Sequence, residues 1–155
     1  MAADSSEFTY RVTEKADEVS IAIGGTLDEA SEMPVPEVRG RRVVIDAKAV
    51  ARVNSMGVRA WVEMMTELSA RTRDIVVMQV PAVLVTQAAM ISTFFGSARV
   101  HSFMSPWICL NCENWLEQMH GESDAVPEAI TCPKCGSRME LDWDRESFLA
   151  FRGGR

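Results

Sequence analysis

Two groups of residues in this 155-residue chain have the types and spacing to do chemistry. The first is Cys109-Leu110-Asn111-Cys112 with Cys132-Pro133-Lys134-Cys135, a C-x2-C-x19-C-x2-C pattern. Two residues between cysteines let each pair curl around one metal with both sulfurs inward. Backbone N–H groups then point at the thiolates, and Gly136 after the second pair permits the tight turn. The spacing is that of a four-thiolate site, with Cys109, Cys112, Cys132 and Cys135 holding one structural Zn2+. Iron and a redox dithiol are the alternatives. Four protein thiolates close the coordination sphere and leave no place for an activated water. The second group is Asn54-Ser55-Met56-Gly57, which opens an amphipathic helix after an apolar strand. A serine there is read as a helix N-cap, and its hydroxyl lies at the positive helix end, where a phosphate is well received. Phosphorylation would add roughly −1.5 to −2 charges while sparing the fold, as a binding switch requires.

The elements that must position these residues follow from periodicity. Phe8, Tyr10 and Val12 alternate with polar residues, and Val19, Ile21 and Ile23 repeat the pattern, so the chain opens on a hairpin. Pro34 and Pro36 keep residues 30–38 from forming a long helix. Val43-Val44-Ile45 reads as a central strand buried on both faces, closed by Asp46. Val58, Trp61, Val62, Met65 and Leu68 keep helical spacing. A strand over 75–80, a helix from Ala82 to Phe95 stopped by Gly96, and a last strand from Val100 to Met104 complete the order. Helices interleaved with central strands imply an α/β layered domain over 1–105, with a small zinc-ribbon-like appendage over 106–155. The linker is almost absent, so the ribbon is expected to pack directly on the first domain through Trp107, Trp115 and Trp143, with Leu116 and Leu141. His120 is expected to be solvent-exposed in the loop between the cysteine pairs.

Net charge is −6, and the cysteine-bearing part from Pro106 onward has 9 acidic and 5 basic residues. With a further formal −2 from zinc and four thiolates, that part should repel phosphate backbones, which excludes nucleic acid as a partner. No apolar run approaches the roughly 18 residues needed to span a bilayer, so membrane insertion is not expected. The N-terminal stretch MAADSSEFTY shows no secretory signal, which makes a reducing cytoplasm the expected location and disulfides unlikely there.

Three segments taken in order resemble the STAS domain, the fold of bacterial anti-sigma factor antagonists. IAIGGTLDEASEM is similar to the family's early strand and Gly-x-Leu-Asp element, here Gly25, Leu27 and Asp28. VVIDAKAV resembles the strand closed by the family's Asp, here Asp46, and VPAVLVTQAAMISTFFGSARVHSF its late helix and final strand. The family's Asp-Ser-Ser-Gly becomes Asn54-Ser55-Met56-Gly57, an amide and a methionine replacing the acid and second serine. The resemblance covers about residues 8–105 and implies a STAS-like mixed sheet with helices packed on it. It further implies a protein partner of the anti-sigma type, a serine kinase that modifies Ser55. Asp28, Asp46, Asn54, Met56 and Gly57 would form the docking surface. Beside this stands a second possibility, an unphosphorylated scaffold whose ribbon is a second protein-binding surface. The sequence holds no general-base, nucleophile or phosphate-loop constellation, so it does not read as an enzyme.

Overall fold

A computed structural model describes residues 7–153; residues 1–6 of the N-terminal stretch discussed above lie outside that range. The first half is a five-stranded mixed sheet in the order β1-β2-β3-β4-β5. Its strands are β1 Thr9–Glu14, β2 Glu18–Leu27, β3 Arg42–Val53, β4 Ile75–Met78 and β5 Arg99–Val100. The β1–β2 hairpin is antiparallel, and the remaining neighbours run parallel. The apolar run at Val43–Ile45 lands in the middle strand with parallel neighbours on both sides. Val43 and Ile45 are wholly buried, but Val44, expected to be buried too, is only half-buried because its sheet face carries no helix. Helix α1 (Ser55–Arg71) crosses from β3 to β4, and α2 (Ala82–Met90) from β4 to β5.

The core gathers Ile21, Ile45 and Val77 from the strands with Trp61, Met65 and Leu68 of α1 and Leu84 of α2. The opposite sheet face carries no helix: Arg11, Ala22 and Lys48 are exposed there, and Ser20 and Asp46 half-buried. The segment from Asp28 to Arg41, where two prolines interrupt the sequence, joins β2 to β3 with no helix. Helix α2 is shorter than the expected Ala82–Phe95. The chain leaves it at Met90 because Phe94 is held elsewhere: its carbonyl accepts a hydrogen bond from Trp61 Nε1 at 2.9 Å, and its ring stacks on that indole at 5.4 Å.

A four-stranded antiparallel sheet follows, in the order β7-β6-β9-β8. It comprises β6 Ser102–Cys109, β7 Trp115–Gly121, β8 Ile130–Thr131 and β9 Arg138–Leu141. The expected last strand, Val100–Met104, is instead split between the two sheets. β5 ends at Val100, His101 donates its N–H to the Val77 carbonyl (2.8 Å), and Val80 forms a parallel bridge to Phe103 in β6. One extended stretch therefore leaves the first sheet and becomes the central strand of the second.

Two single-turn helices, α3 (Arg145–Phe148) and α4 (Ala150–Gly153), carry the chain back toward α2. Phe148 and Phe151 lie against Phe103 with ring centroids 6.3 and 5.0 Å apart. Among the described residues no helix is long and apolar enough to cross a membrane.

Candidate functional site

The four cysteines converge. Cys109 ends β6, Cys132 follows β8, and Cys112 and Cys135 sit in the two turns beyond them. Each turn closes with the same pair of hydrogen bonds. Glu113 N–H donates to the Cys109 carbonyl (2.8 Å) and Cys109 N–H to the Asn114 carbonyl (2.8 Å). Gly136 and Cys132 repeat this with the Cys132 and Ser137 carbonyls at 2.9 and 2.7 Å. Both turns need a left-handed residue just after the second cysteine: Gly136 at φ 80° supplies it in one, and Glu113 at φ 62° in the other. The missing glycine thus leaves the turn geometry intact.

The ligand sulfurs all lie within 4.8 Å of one another, with Cys109 Sγ 3.4 Å from Cys135 Sγ and Cys112 Sγ 3.7 Å from Cys132 Sγ. A tetrahedral ion with metal–sulfur bonds near 2.3 Å sets sulfur–sulfur separations of roughly 3.8 Å. The cluster therefore has room for a single metal ion and no more. Asn111 Nδ2 lies 3.5 Å from Cys135 Sγ and Asn114 Nδ2 3.8 Å from Cys132 Sγ, so two amide donors of the first turn reach across to the sulfurs of the second.

The thiols are electrostatically unequal. Hydrogen bonds from Ser137 and Asn111 bring Cys135 down to about 5. At Cys112 the Asn114 amide lowers the pKa, but burial and the three neighbouring sulfurs prevail and push it up to about 12. Four sulfurs at this spacing hold four negative charges only around a cation, which is the chemistry of a thiolate metal site.

At the start of α1 the N-cap is Asn54, not Ser55. Asn54 Oδ1 accepts the Gly57 N–H at 2.9 Å, and Asn54 N–H is held by the Leu27 carbonyl at 3.0 Å. The extended backbone of Asn54 is what a cap requires, and it displaces Ser55 to the first helical position. Ser55 and Met56 are both exposed there. Gly57 is dictated by close approach: a Cβ on it would lie 2.0 Å from the Leu27 carbonyl oxygen.

Asp28 belongs to the same corner through the loop after β2. Its Oδ1 accepts the Ala30 N–H at 2.9 Å, and its own N–H donates to Ser31 Oγ. Glu29, beside it, accepts from Asn54 Nδ2 at 3.1 Å. Its own backbone N–H, and then Asn54, hold its carboxyl below the usual range. Asp46 is not brought to this corner. It lies on the helix-free face, where its Oδ1 accepts the Lys48 N–H at 3.0 Å, and strand on the order of 20 Å long separates it from Val53.

His120 is buried rather than exposed. Its Nε2 is 2.6 Å from Ser105 Oγ, which also accepts from Trp107 Nε1 at 2.8 Å. Tryptophan only donates, so the hydroxyl proton is shared between His120 Nε2 and the Gln118 carbonyl, which lies 3.4 Å from the same oxygen. Burial holds the imidazole pKa below its usual value against the pull of Asp124. The serine is fully buried, so this Ser–His pair fastens β6 to β7 and meets no substrate. Only the alternation along β7, which turns His120 inward opposite Phe103, could have signalled it. Of the three tryptophans expected at the junction, Trp107 is fully buried, while Trp115 and Trp143 remain half-exposed.

A scan against protein-family models finds no match for the chain, and a search of curated proteins finds none either.

Proposed function

We propose that the protein is a non-enzymatic, cytoplasmic protein-binding module of the anti-sigma factor antagonist kind, with a STAS-like first half and a structural Zn2+ in its cysteine cluster. Its partner is a serine kinase of the anti-sigma type, and phosphorylation of Ser55 releases that partner. The observation that carries this reading is the exposed hydroxyl at the first position of a 17-residue helix whose cap is supplied by another residue. A modified Ser55 keeps the Asn54 cap and therefore the helix, while the surface formed with Met56, Asp28 and Asn54 gains roughly −1.5 to −2 further charges. Closed four-thiolate coordination suits zinc in a supporting role and leaves no catalytic position.

One observation favours the second reading, an unphosphorylated scaffold that uses its zinc-ribbon-like second half as a further protein contact. Glu29 lies within hydrogen-bonding distance of Asn54, next to Ser55 in sequence, and its negative charge opposes a phosphate. The two readings are separated by capturing partners from the protein's own cells with wild type, Ser55→Ala and Ser55→Asp in the presence of ATP. Mass analysis of the native chain supplies the complementary readout. Phosphate on Ser55, with a kinase retained by wild type and Ser55→Ala but lost with Ser55→Asp, is the expected result. Equal capture by all three, with no phosphate on Ser55, would leave the scaffold.

A further inference from the structure

A groove of about 570 Å3 runs between the two sheets, and neither the four cysteines nor the residues of the Ser55 corner line it. Its walls come from the end of β3, the start of α2 and the second sheet, and they include Lys48, Trp115, Glu117, Asp142 and Trp143. Two of the chain's four tryptophans are wholly buried, whereas Trp115 and Trp143 stay 50% and 40% exposed, both on this groove. Large indoles left in water on one concave surface mark a contact site. Glu117 is fixed in place because its Oε1 accepts the Ala82 N–H at the head of α2 at 3.0 Å. No ion pair among the described residues uses Asp142 or Lys48. The groove thus offers two aromatic faces and two carboxylates against one ammonium.

We propose that this groove binds an arginine side chain presented by an exposed segment of a partner protein. The guanidinium stacks on the exposed indoles and pairs with Asp142. A guanidinium suits the groove better than an ammonium. It is planar and weakly hydrated, it lies flat on indoles, and it engages a carboxylate with two parallel donors. Lys48 on the facing wall repels a second cation, so the groove selects a single arginine among neutral or acidic neighbours over a polybasic tract. The same carboxylates disfavour a nucleic-acid strand, although bases also stack on tryptophan.

The test uses the full chain with its metal bound and reads intrinsic tryptophan fluorescence, to which Trp115 and Trp143 are the solvent-facing contributors. The titrants are an acetylated Ala-Ala-Arg-Ala-Ala amide, the same peptide with neutral citrulline in place of arginine, and a short oligothymidylate. A saturable emission change with the arginine peptide is expected, at least about 5-fold weaker with citrulline. Asp142→Asn should weaken it about 10-fold without moving the unfolding transition, and Trp143→Phe should remove much of the signal. No saturable change up to about 10 mM, equal binding of both peptides, or tighter binding of the oligothymidylate would overturn the proposal.

Discussion

At the scale of single residues, the corner where β3 meets α1 shows how neighbouring positions divide structural and chemical work. Asn54 ties down the Gly57 amide, the Leu27 carbonyl and the Glu29 carboxylate together, whereas the Ser55 hydroxyl makes no hydrogen bond among the described residues. Serine and asparagine are equally good caps, so residue type cannot say which of two adjacent ones holds that place; backbone geometry decides. Replacing Asn54 by Ala should therefore cost about 1 kcal/mol of unfolding free energy, since an orphan helix donor loses its acceptor. Ser55→Ala should lie within about 0.5 kcal/mol of wild type, as exposed positions without partners do. Urea unfolding of both variants checks this. A larger loss at Ser55 than at Asn54 would mean that the serine, not the amide, holds the helix.

At the scale of elements, β3 and α1 were legible because their signals are local. An apolar triplet marks a central strand. Four of the five apolar residues at helical spacing, Val58, Trp61, Met65 and Leu68, lie on the buried face of α1, where Met64 joins them and Val62 stays half-buried. The metal cluster was legible for the same reason, each cysteine pair being a four-residue unit. What the sequence hid depends on distant partners. Phe94 and Phe95 continue an apolar helical pattern, yet the Trp61 indole 33 positions away claims the Phe94 carbonyl and ends α2 early. Pro106 likewise argues for ending a strand at Met104. β9 pairs with β6 only from Trp107 onward, and Pro106 contributes its carbonyl to the Asp142 N–H at 2.8 Å, so its missing donor is not needed. The inward turn of His120 depends on β6–β7 register, which no short window contains.

The two cysteine turns offer a direct test of element-level reasoning. They share hydrogen bonds and a left-handed fifth residue, but one fills that place with a glutamate. A non-glycine residue there carries a steric cost of about 1 kcal/mol, so Glu113→Gly should stabilise the protein by up to that amount, less the extra entropy of an unfolded glycine. Gly136→Ala should do the reverse, although a Cβ there would meet nothing within 4 Å. Thermal unfolding of the two variants with metal bound measures both signs. A Glu113→Gly variant less stable than wild type would show that the glutamate side chain contributes more than its backbone strain costs.

At the scale of the whole molecule, the two sheets do not keep separate interiors. One continuous cluster of buried side chains runs from Ile21 and Trp61 through Phe103 and Trp107 to Met139 and Phe148, and it includes Cys109 and Cys132. The strand passing from β5 into β6 makes this unavoidable, since its residues complete the first core while anchoring the second sheet. Small zinc-bound folds draw roughly 10–16 kcal/mol from the ion, as much as an ordinary domain's entire stability of about 5–15 kcal/mol. Stripping the metal with a chelator under reducing conditions should therefore loosen more than the cysteine turns. Hydrogen exchange should show amides of β3 and α1 losing protection together with those of β6 and β9, and heating should give one transition at a lower temperature. If β3 and α1 kept their full protection while the second sheet alone exchanged, the two halves would be energetically independent despite their shared core. The strand at His101 would then act as a hinge between them.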